Sequence, residues 1–187
     1  MITKRIVAGK YKNKIINLPS QDSTRSTKSI MKESLFDTLQ FDIVDEVFVE
    51  VFGGSGSMGL EALSRGSSHA YFFEKDKNAY AVLRENCKRI ASDETTCIHG
   101  NSFKEFPKFL EKLKQKSFFY FDPPFSIREG MEDIYESTIE LIKMIPTELS
   151  CLIIVEHMSK QTMPDTIGNY KAKKTKKFGK SSLTYYV

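Results

Sequence analysis

Hydrophobic residues recur along this chain with two different periods, one typical of buried strands and one typical of amphipathic helices. The short apolar runs that predict buried strands lie at 47–52, 69–74, 95–98, 117–121 and 151–156. Segments with helical spacing alternate with them, one beginning at Ser26 and the others at 58–65, 78–91, 102–115 and 129–145. This alternation predicts an α/β protein, in which a mostly parallel sheet carries helices on both faces.

Local signals refine the helices. The helix that begins at Ser26 has one face formed by Met31, Leu35, Thr38 and Leu39. Gly66 follows the second helix at a position suited to a C-cap. Pro107 is expected to start or interrupt the fourth helix, because proline lacks the N–H that a helix interior needs.

The two ends of the chain predict antiparallel hairpins. Residues 4–18 indicate two short basic strands around a turn near Lys12 and Asn13. The last 20 residues indicate a hairpin that turns within 178–181 and adds an antiparallel edge to the sheet. No segment has the composition of a linker. We therefore expect a basic hairpin extension at 1–20 and a single domain at 21–187.

The net charge of +4 is distributed unevenly. Residues 1–32 contain eight Lys or Arg and one acid, and residues 160–187 contain seven Lys and one acid. The stretch between them holds 13 basic and 22 acidic residues. Basic ends of this kind are either solvated surface or, as we favour, a surface that binds the phosphate backbone of a nucleic acid. The lysines predicted to contact RNA are Lys10, Lys12, Lys14, Lys173, Lys174 and Lys176.

Several classes of protein are disfavoured by the sequence. The first ten residues carry three charges and no apolar block, so they are not typical of a signal peptide. No apolar run approaches the roughly 18 residues that a membrane span requires. Cys87, Cys97 and Cys151 are odd in number and far apart, which favours reduced thiols over a disulfide framework or a metal site. We expect a cytoplasmic monomer without a metal.

A glycine-rich segment directly follows the strand at 47–52. Gly54, Gly56 and Gly59 have G-x-G-x-x-G spacing between this strand and a helix, and Glu74 ends the next strand. Glycines permit a tight turn and a close approach of a cofactor, and the distal acid can bind ribose hydroxyls. The pattern does not separate a nicotinamide cofactor from S-adenosyl-L-methionine, and a purely structural turn is the remaining alternative.

The strand at 117–121 runs into the tetrad Asp122-Pro123-Pro124-Phe125. The Asp122 carboxylate and the Pro123 carbonyl are two acceptors that suit the two N–H bonds of an amine on a planar ring. Held in this way, the nitrogen can direct its lone pair at a sulfonium methyl group, a reaction that needs positioning above all. Phe125 offers a flat apolar face for stacking on the base. The tetrad therefore favours methylation of an exocyclic amine over hydride transfer.

With these motifs the chain resembles the RsmD-type methyltransferases, which act on the N2 of one guanine in 16S ribosomal RNA. The resemblance covers nearly the whole chain and is carried by RIVAGKYKNKIINLP, RSTKSIMKESLFDTL, VFGGSGSMGLEALSRG, FFEKD, DPPF and IIVEH. It implies a Rossmann-like methyltransferase fold and S-adenosyl-L-methionine as cofactor. It also implies that 16S rRNA, within the small ribosomal subunit or an assembly intermediate, is the partner.

The resemblance also implies roles for single residues. Phe52 to Gly56 would wrap the methionine part of the cofactor, Glu74 would bind its ribose, and Asn101 would lie near its adenine. The full set expected to contact the cofactor is Glu50, Phe52, Gly53, Gly54, Ser55, Gly56, Glu74, Asn101 and Ser102. Arg25 and Thr27, which are expected to contact RNA, match the family's Arg-Pro-Thr near the active site, with Ser26 in place of proline. The family usually has alanine where this chain has Gly53.

Three other functions remain open from the residues alone. An adenine-N6 methyltransferase acting on DNA or RNA would use the same tetrad. A nicotinamide-dependent dehydrogenase would share the glycine-rich turn, but no acid or base for hydride chemistry is evident. An RNA-binding assembly factor without catalysis would not need the tetrad.

Overall fold

The structure of the protein is a computed structural model that describes residues 2–19, 25–124 and 133–187, and all of their side chains except those of 25–27. The helices are α1 (Arg25–Leu39), α2 (Ser57–Ser64), α3 (Lys77–Ala91), α4 (Ser102–Leu110) and α5 (Ile134–Lys143). The first strands are β1 (Thr3–Arg5), β2 (Ile15–Asn17), β3 (Val47–Glu50), β4 (His69–Glu74) and β5 (Thr95–His99). The later strands are β6 (Ser117–Phe121), β7 (Ser150–Met158), β8 (Thr166–Ile167), β9 (Tyr170–Phe178) and β10 (Ser181–Tyr186).

Eight strands form one sheet in the order β5-β4-β3-β6-β7-β10-β9-β8. The pairs among β3 to β7 are parallel, whereas β10 is antiparallel to β7 and to β9. Strands β1 and β2 form a separate antiparallel pair. The predicted fold class, with its parallel centre, terminal hairpin and small N-terminal hairpin, is therefore confirmed. The domain division at residue 20 stays a prediction.

Helices cover the sheet because its central strands are apolar on both faces. One face packs Phe48, Tyr120 and Ile154 against residues of α1 and α2. The other packs Phe119 and Val155 against residues of α4 and α5. Burial of apolar surface on both faces is what a parallel sheet of this kind requires. The carboxyl ends of β3, β4 and β6 meet at one edge of the sheet, where ligands bind in open α/β folds.

Element boundaries differ from the predictions in a few places. Helix α4 ends at Leu110 rather than 115, since the N–H groups of Lys112 and Leu113 both bond to the Phe109 carbonyl, which closes its last turn. Pro107 lies inside α4 and neither starts nor interrupts it. The predicted helix at 129–145 corresponds to α5, and its residues 129–132 lie outside the described part of the chain.

Other local predictions are confirmed. Gly66, which follows the C-cap residue Arg65 of α2, has a φ of +114°, and the N–H of Ser67 returns to the Ala62 carbonyl at 3.0 Å. The C-terminal hairpin turns between Phe178 and Ser181. Within 2–19, 25–124 and 133–187, no helix is long and apolar enough to cross a membrane.

Candidate active site

A cleft of about 340 Å³ opens at the carboxyl edge of the sheet. Its walls come from the N-terminal hairpin, from α1, from the glycine-rich loop and from the ends of β6 and β7. The residues that line it include Lys4, Lys28, Lys32, Glu50, Phe52, Gly53, Gly54, Ser55, Asp122 and Glu156. The glycine-rich loop and Asp122 of the tetrad, found separately in the sequence, therefore face one cavity.

Backbone hydrogen bonds fix the glycine-rich loop between β3 and α2. Gly53 N–H donates to the Phe73 carbonyl at 2.7 Å, and Gly56 N–H donates to the Gly53 carbonyl at 2.7 Å. Gly54 has a φ of +52°, which favours glycine. A Cβ on Gly54 would meet no protein atom within 4 Å, because this position borders the open cleft. The loop thus leaves room for a ligand against its backbone.

Gly59 and Glu50 join the loop to the start of α2. A Cβ on Gly59 would lie 2.4 Å from the Phe72 ring, so the helix can approach β4 this closely only at glycine. The Gly59 N–H donates to Glu50 Oε2 at 2.8 Å, which gives the buried carboxyl a partner. Burial raises the pKa of Glu50 to about 8, and the charge of Asp122 adds to this shift.

Glu74 lies beside the loop at the end of β4. Its Oε2 accepts the Gly54 N–H at 2.9 Å and its Oε1 accepts the Asp76 N–H at 2.7 Å. A carboxylate has about four acceptor positions, so each oxygen can accept a further hydrogen bond. Asp76 caps α3 by accepting from Ala79 N–H at 2.8 Å, which gives it a structural role.

Asn101 and Ser102 mark the start of α4. The Asn101 side chain accepts the Phe103 N–H at 3.0 Å and so caps the helix. The Ser102 hydroxyl is buried and donates to the Val51 carbonyl at 2.6 Å, next to the glycine-rich loop. In the described part of the chain these two residues and Glu74 are not among those that line the cleft. Their predicted contacts with the cofactor stay predictions.

Asp122 follows β6 and points toward α1. Its side chain is 29% exposed, and its Oδ2 lies 4.0 Å from Lys28 Nζ. Pro123 is buried and Pro124 is half-buried, so the chain after Asp122 packs against the domain. Phe125 lies outside the described residues, and so do the side chains of Arg25 and Thr27, although Arg25 begins α1.

The structure adds an acid that motif reasoning did not single out. Glu156 lies on β7 beside Asp122, is 2% exposed, and accepts a hydrogen bond from the Tyr120 hydroxyl through Oε2. The sequence contains a weak signal for it, because an acid ends the apolar run CLIIVE at the same sheet edge as the tetrad. Among the described residues, no group of three or more His, Cys, Asp or Glu has the arrangement of a metal site.

Glu61 is a second acid that the sequence did not reveal. Its fully buried carboxylate accepts the N–H groups of Val7 and Ala8 at 3.0 and 3.1 Å. It also pairs with Lys32 on α1 at 3.1 Å and with Arg65 at 3.0 Å. Glu61 therefore holds the N-terminal hairpin and α1, two walls of the cleft, to α2.

Asn86 makes a similar connection from α3. It is fully buried, and it exchanges two hydrogen bonds with the backbone of Asn17 on β2, at 3.0 and 2.9 Å. Its amide also donates to the Ser55 carbonyl at 2.9 Å. The hairpin and the glycine-rich loop are consequently tied to the same side chain.

The predicted N-terminal RNA contacts lie away from the cleft. Lys10 pairs with Glu94 at 2.7 Å, and Lys14 donates to the Ile90 carbonyl at 3.4 Å, so both lie near the end of α3. Both ammonium groups also lie over the Tyr11 ring. Lys12 is exposed. The basic residues that do line the cleft include Lys4, Arg5, Lys28 and Lys32, which composition alone did not distinguish.

The predicted C-terminal contacts divide between environments. Lys173 is exposed. Lys174 is half-buried, and its ammonium lies 4.8 Å from the centre of the Tyr185 ring. Lys176 donates to the hydroxyls of Ser34 and Thr38 on α1, both at 3.1 Å. Lys176 thus has a structural contact with α1, and RNA binding by this strand stays a prediction.

Comparison with known proteins agrees with this architecture. The chain matches the family described as conserved hypothetical protein 95 over residues 4–187. It is 28% identical over 186 residues to ribosomal RNA small subunit methyltransferase D of Escherichia coli strain K12, covering 97% of this chain and 88% of that protein.

Solved structures show the same fold. The Escherichia coli candidate methyltransferase yhhF superposes with a TM-score of 0.76 at 27% identity, over 98% of this chain and 97% of that one. A candidate methylase from Haemophilus influenzae gives a TM-score of 0.75 at 27% identity, with the same two coverages. The eight-stranded sheet and its helices are therefore a methyltransferase fold.

Proposed function

Because this chain belongs to the family described as conserved hypothetical protein 95, we propose that it methylates the N2 amine of a guanine in 16S ribosomal RNA. The methyl donor is S-adenosyl-L-methionine. The name of the Escherichia coli relative supports ribosomal RNA of the small subunit as substrate. The choice of N2 of guanine follows from the resemblance to the RsmD-type enzymes. We place the protein in the cytoplasm, where it would meet the small subunit or an assembly intermediate.

One observation carries the proposal: the glycine-rich loop and Asp122, the first residue of the tetrad, face the same cleft. The loop fits the methyl donor, since the Cα of Gly54 faces open space and Glu74 keeps acceptor capacity beside it. In this assignment Phe52 to Gly56 hold the methionine part and Glu74 holds the ribose. S-adenosyl-L-methionine, when bound, supplies an electrophilic methyl group on a sulfonium.

The chain's own residues prepare the amine. The lone pair of an amine on a purine is delocalised into the ring, which makes the nitrogen a poor nucleophile. The Asp122 carboxylate and the Pro123 carbonyl accept hydrogen bonds from its two N–H groups. They hold the nitrogen with its lone pair directed at the methyl donor. The gain comes from position and preorganised acceptors, so the reaction needs no strong base.

Mapping the product tests this function. Small ribosomal subunits from a strain that lacks the protein would be incubated with the purified enzyme and labelled S-adenosyl-L-methionine. The RNA would then be digested and its nucleosides resolved by mass spectrometry. We expect a single N2-methylguanosine per small subunit. N6-methyladenine would establish the alternative amine, and no transferred label would contradict the methyltransferase function.

Glu74→Ala should weaken S-adenosyl-L-methionine and S-adenosylhomocysteine alike, because both carry the same ribose. Loss of hydrogen bonds to a charged group costs roughly 1.5–3 kcal/mol of binding free energy. Isothermal titration calorimetry would measure both ligands. Asp76→Ala is the matched control, since Asp76 caps α3 and should leave both affinities nearly unchanged. Equal affinities in wild type and Glu74→Ala would refute the ribose role.

RNA binding should weaken with salt because the basic ends neutralise phosphates, each contributing a log–log slope of roughly −0.7 to −0.9. Replacing Lys10, Lys12 and Lys14 by Ala should flatten this slope. Since Lys10 already pairs with Glu94, the change should be smaller than that of three phosphates. Replacing Lys173, Lys174 and Lys176 tests the C-terminal strand in the same way. Fluorescence anisotropy across a salt series is the measurement.

The control for these lysine variants is a third variant, in which Lys112, Lys114 and Lys116 are replaced by Ala. These residues are exposed and precede β6, so they lie near the edge of the sheet opposite the cleft. We expect this control to bind RNA with the wild-type slope. If both test variants also kept the wild-type slope, the basic ends would be only solvated surface.

A further inference from the structure

Glu156 and Asp122 lie side by side at the carboxyl ends of two neighbouring parallel strands. Phe121 pairs with Val155, and Asp122 and Glu156 are the next residues along each strand. Adjacent strands are about 4.8 Å apart, so two short carboxyl side chains in this register meet directly. Both side chains line the cleft, and the charge of Asp122 acts on the Glu156 carboxyl.

The two acids have different surroundings. Glu156 is 2% exposed, its Oε2 accepts from the Tyr120 hydroxyl, and its buried Oε1 has no donor among the described residues. Asp122 is 29% exposed and has Lys28 Nζ at 4.0 Å. Water and a nearby ammonium stabilise the charged form of Asp122, whereas burial disfavours the charged form of Glu156.

A hydrogen bond between two carboxyl groups requires a proton on one of them. The difference in burial assigns this proton to Glu156. Burial, followed by the charge of Asp122, raises the pKa of Glu156 to about 8. At neutral pH the pair then carries one negative charge, located on Asp122.

We propose that Glu156 is a positioning residue, which as a neutral carboxylic acid donates a hydrogen bond from Oε1 to Asp122. The Tyr120 hydroxyl holds Oε2, so the Oε1 proton has a fixed direction. Asp122 is thereby held in the orientation in which its other lone pairs accept the amine of the base. This inference rests on the proposed function, because Glu156 would orient Asp122, the acceptor that the proposed reaction uses.

The charged and titratable groups around Glu156 define the expected pH dependence. Asp122 and Tyr120 face it from β6, Lys28 acts on it from α1, and Tyr135 lies near it on α5. Its register partner on β10 is the apolar Leu183. The neutral form of Glu156 prevails below pH 8 and is lost as the pH rises through about 8. Above that value two adjacent carboxylates repel each other, so kcat should fall.

The test compares Glu156→Gln with Glu156→Leu in steady-state methyl transfer to small subunits. A glutamine amide is a neutral donor at every pH, so Glu156→Gln should lose less than about tenfold at pH 7. Its kcat should also decline less near pH 8 than that of wild type. Glu156→Leu removes the donor and should lower kcat by roughly 10²-fold, as expected for a misplaced reacting group, with little change in KM for the RNA. Glu136→Gln, the same replacement at an exposed position on α5, should keep the wild-type kcat and pH profile.

The outcomes separate this inference from the proposed function. No transfer by wild type would contradict the function itself. If the wild type is active, any one of three results would overturn the positioning role. The Gln and Leu variants are equally impaired, wild type and the Gln variant show the same decline of kcat with pH, or the change is confined to KM. Infrared difference spectroscopy at pH 7 needs no substrate. The protonated-carboxyl absorption should be weaker in Glu156→Gln than in wild type, and the part that remains belongs to Glu50, whose pKa is also about 8. If Glu156→Leu fails to fold, this comparison and the Gln profile still decide.

Discussion

Asp122→Ala is expected to slow methyl transfer by roughly 10²–10³-fold, the usual cost of removing one preorganised group that acts on the transition state. Binding of S-adenosyl-L-methionine should stay nearly unchanged, because in the proposed site the glycine-rich loop and Glu74 hold the donor without Asp122. Single-turnover transfer of labelled methyl groups measures the rate, and calorimetry measures the affinity. The two measurements together locate the function of Asp122 at the amine.

Asp133→Ala is the matched control for this variant. Asp133 lies exposed before α5, and its side chain makes no capping hydrogen bond. Its truncation therefore also removes a carboxyl group, but one that has no role in the cleft. We expect it to retain the wild-type rate. Normal turnover by Asp122→Ala would contradict the tetrad mechanism. A loss of cofactor affinity in proportion to the rate would instead place Asp122 in the cofactor site.

Glu61→Ala is expected to lower the free energy of unfolding by about 3–5 kcal/mol. Its removal leaves the 8%-exposed Lys32 ammonium without its partner, and an uncompensated buried charge is costly. The N–H groups of Val7 and Ala8 also lose their acceptor. Chemical denaturation of wild type and variant measures the difference. Because the hairpin is a wall of the cleft, RNA methylation should decline as well.

Two further variants show whether the unpaired charge causes the loss. In Glu61→Ala combined with Lys32→Met the buried ammonium is absent, so this double variant should regain part of the stability. Glu85→Ala makes the same truncation at an exposed position of α3 and should stay within about 0.5 kcal/mol of wild type. A stability loss in Glu61→Ala no larger than that of Glu85→Ala would contradict the anchoring role.

The fold could be predicted well because its signals are local. Periodicity in runs such as SFFYF and HAYFFE identified strands β6 and β4 with their observed bounds. Helix ends were less predictable, and α4 stops at Leu110 because its last turn is closed by backbone bonds and not by a distinctive residue. The candidate site was predictable where chemistry is concentrated in a motif, as in the glycine-rich loop and the tetrad.

The sequence by itself determined the order of elements, the glycine-rich turn, Glu74 at a strand end and Asp122 with its prolines. Each depends on neighbours within a few positions, so backbone preferences and side-chain period are sufficient. Only the tertiary structure decided that Glu61 holds the hairpin, that Glu156 lies against Asp122 and that Lys28 and Lys32, unlike Lys10 and Lys14, line the cleft. These relations join residues 29 to 94 positions apart. Whether a charge is buried, paired or exposed depends on packing between elements, which no local pattern encodes.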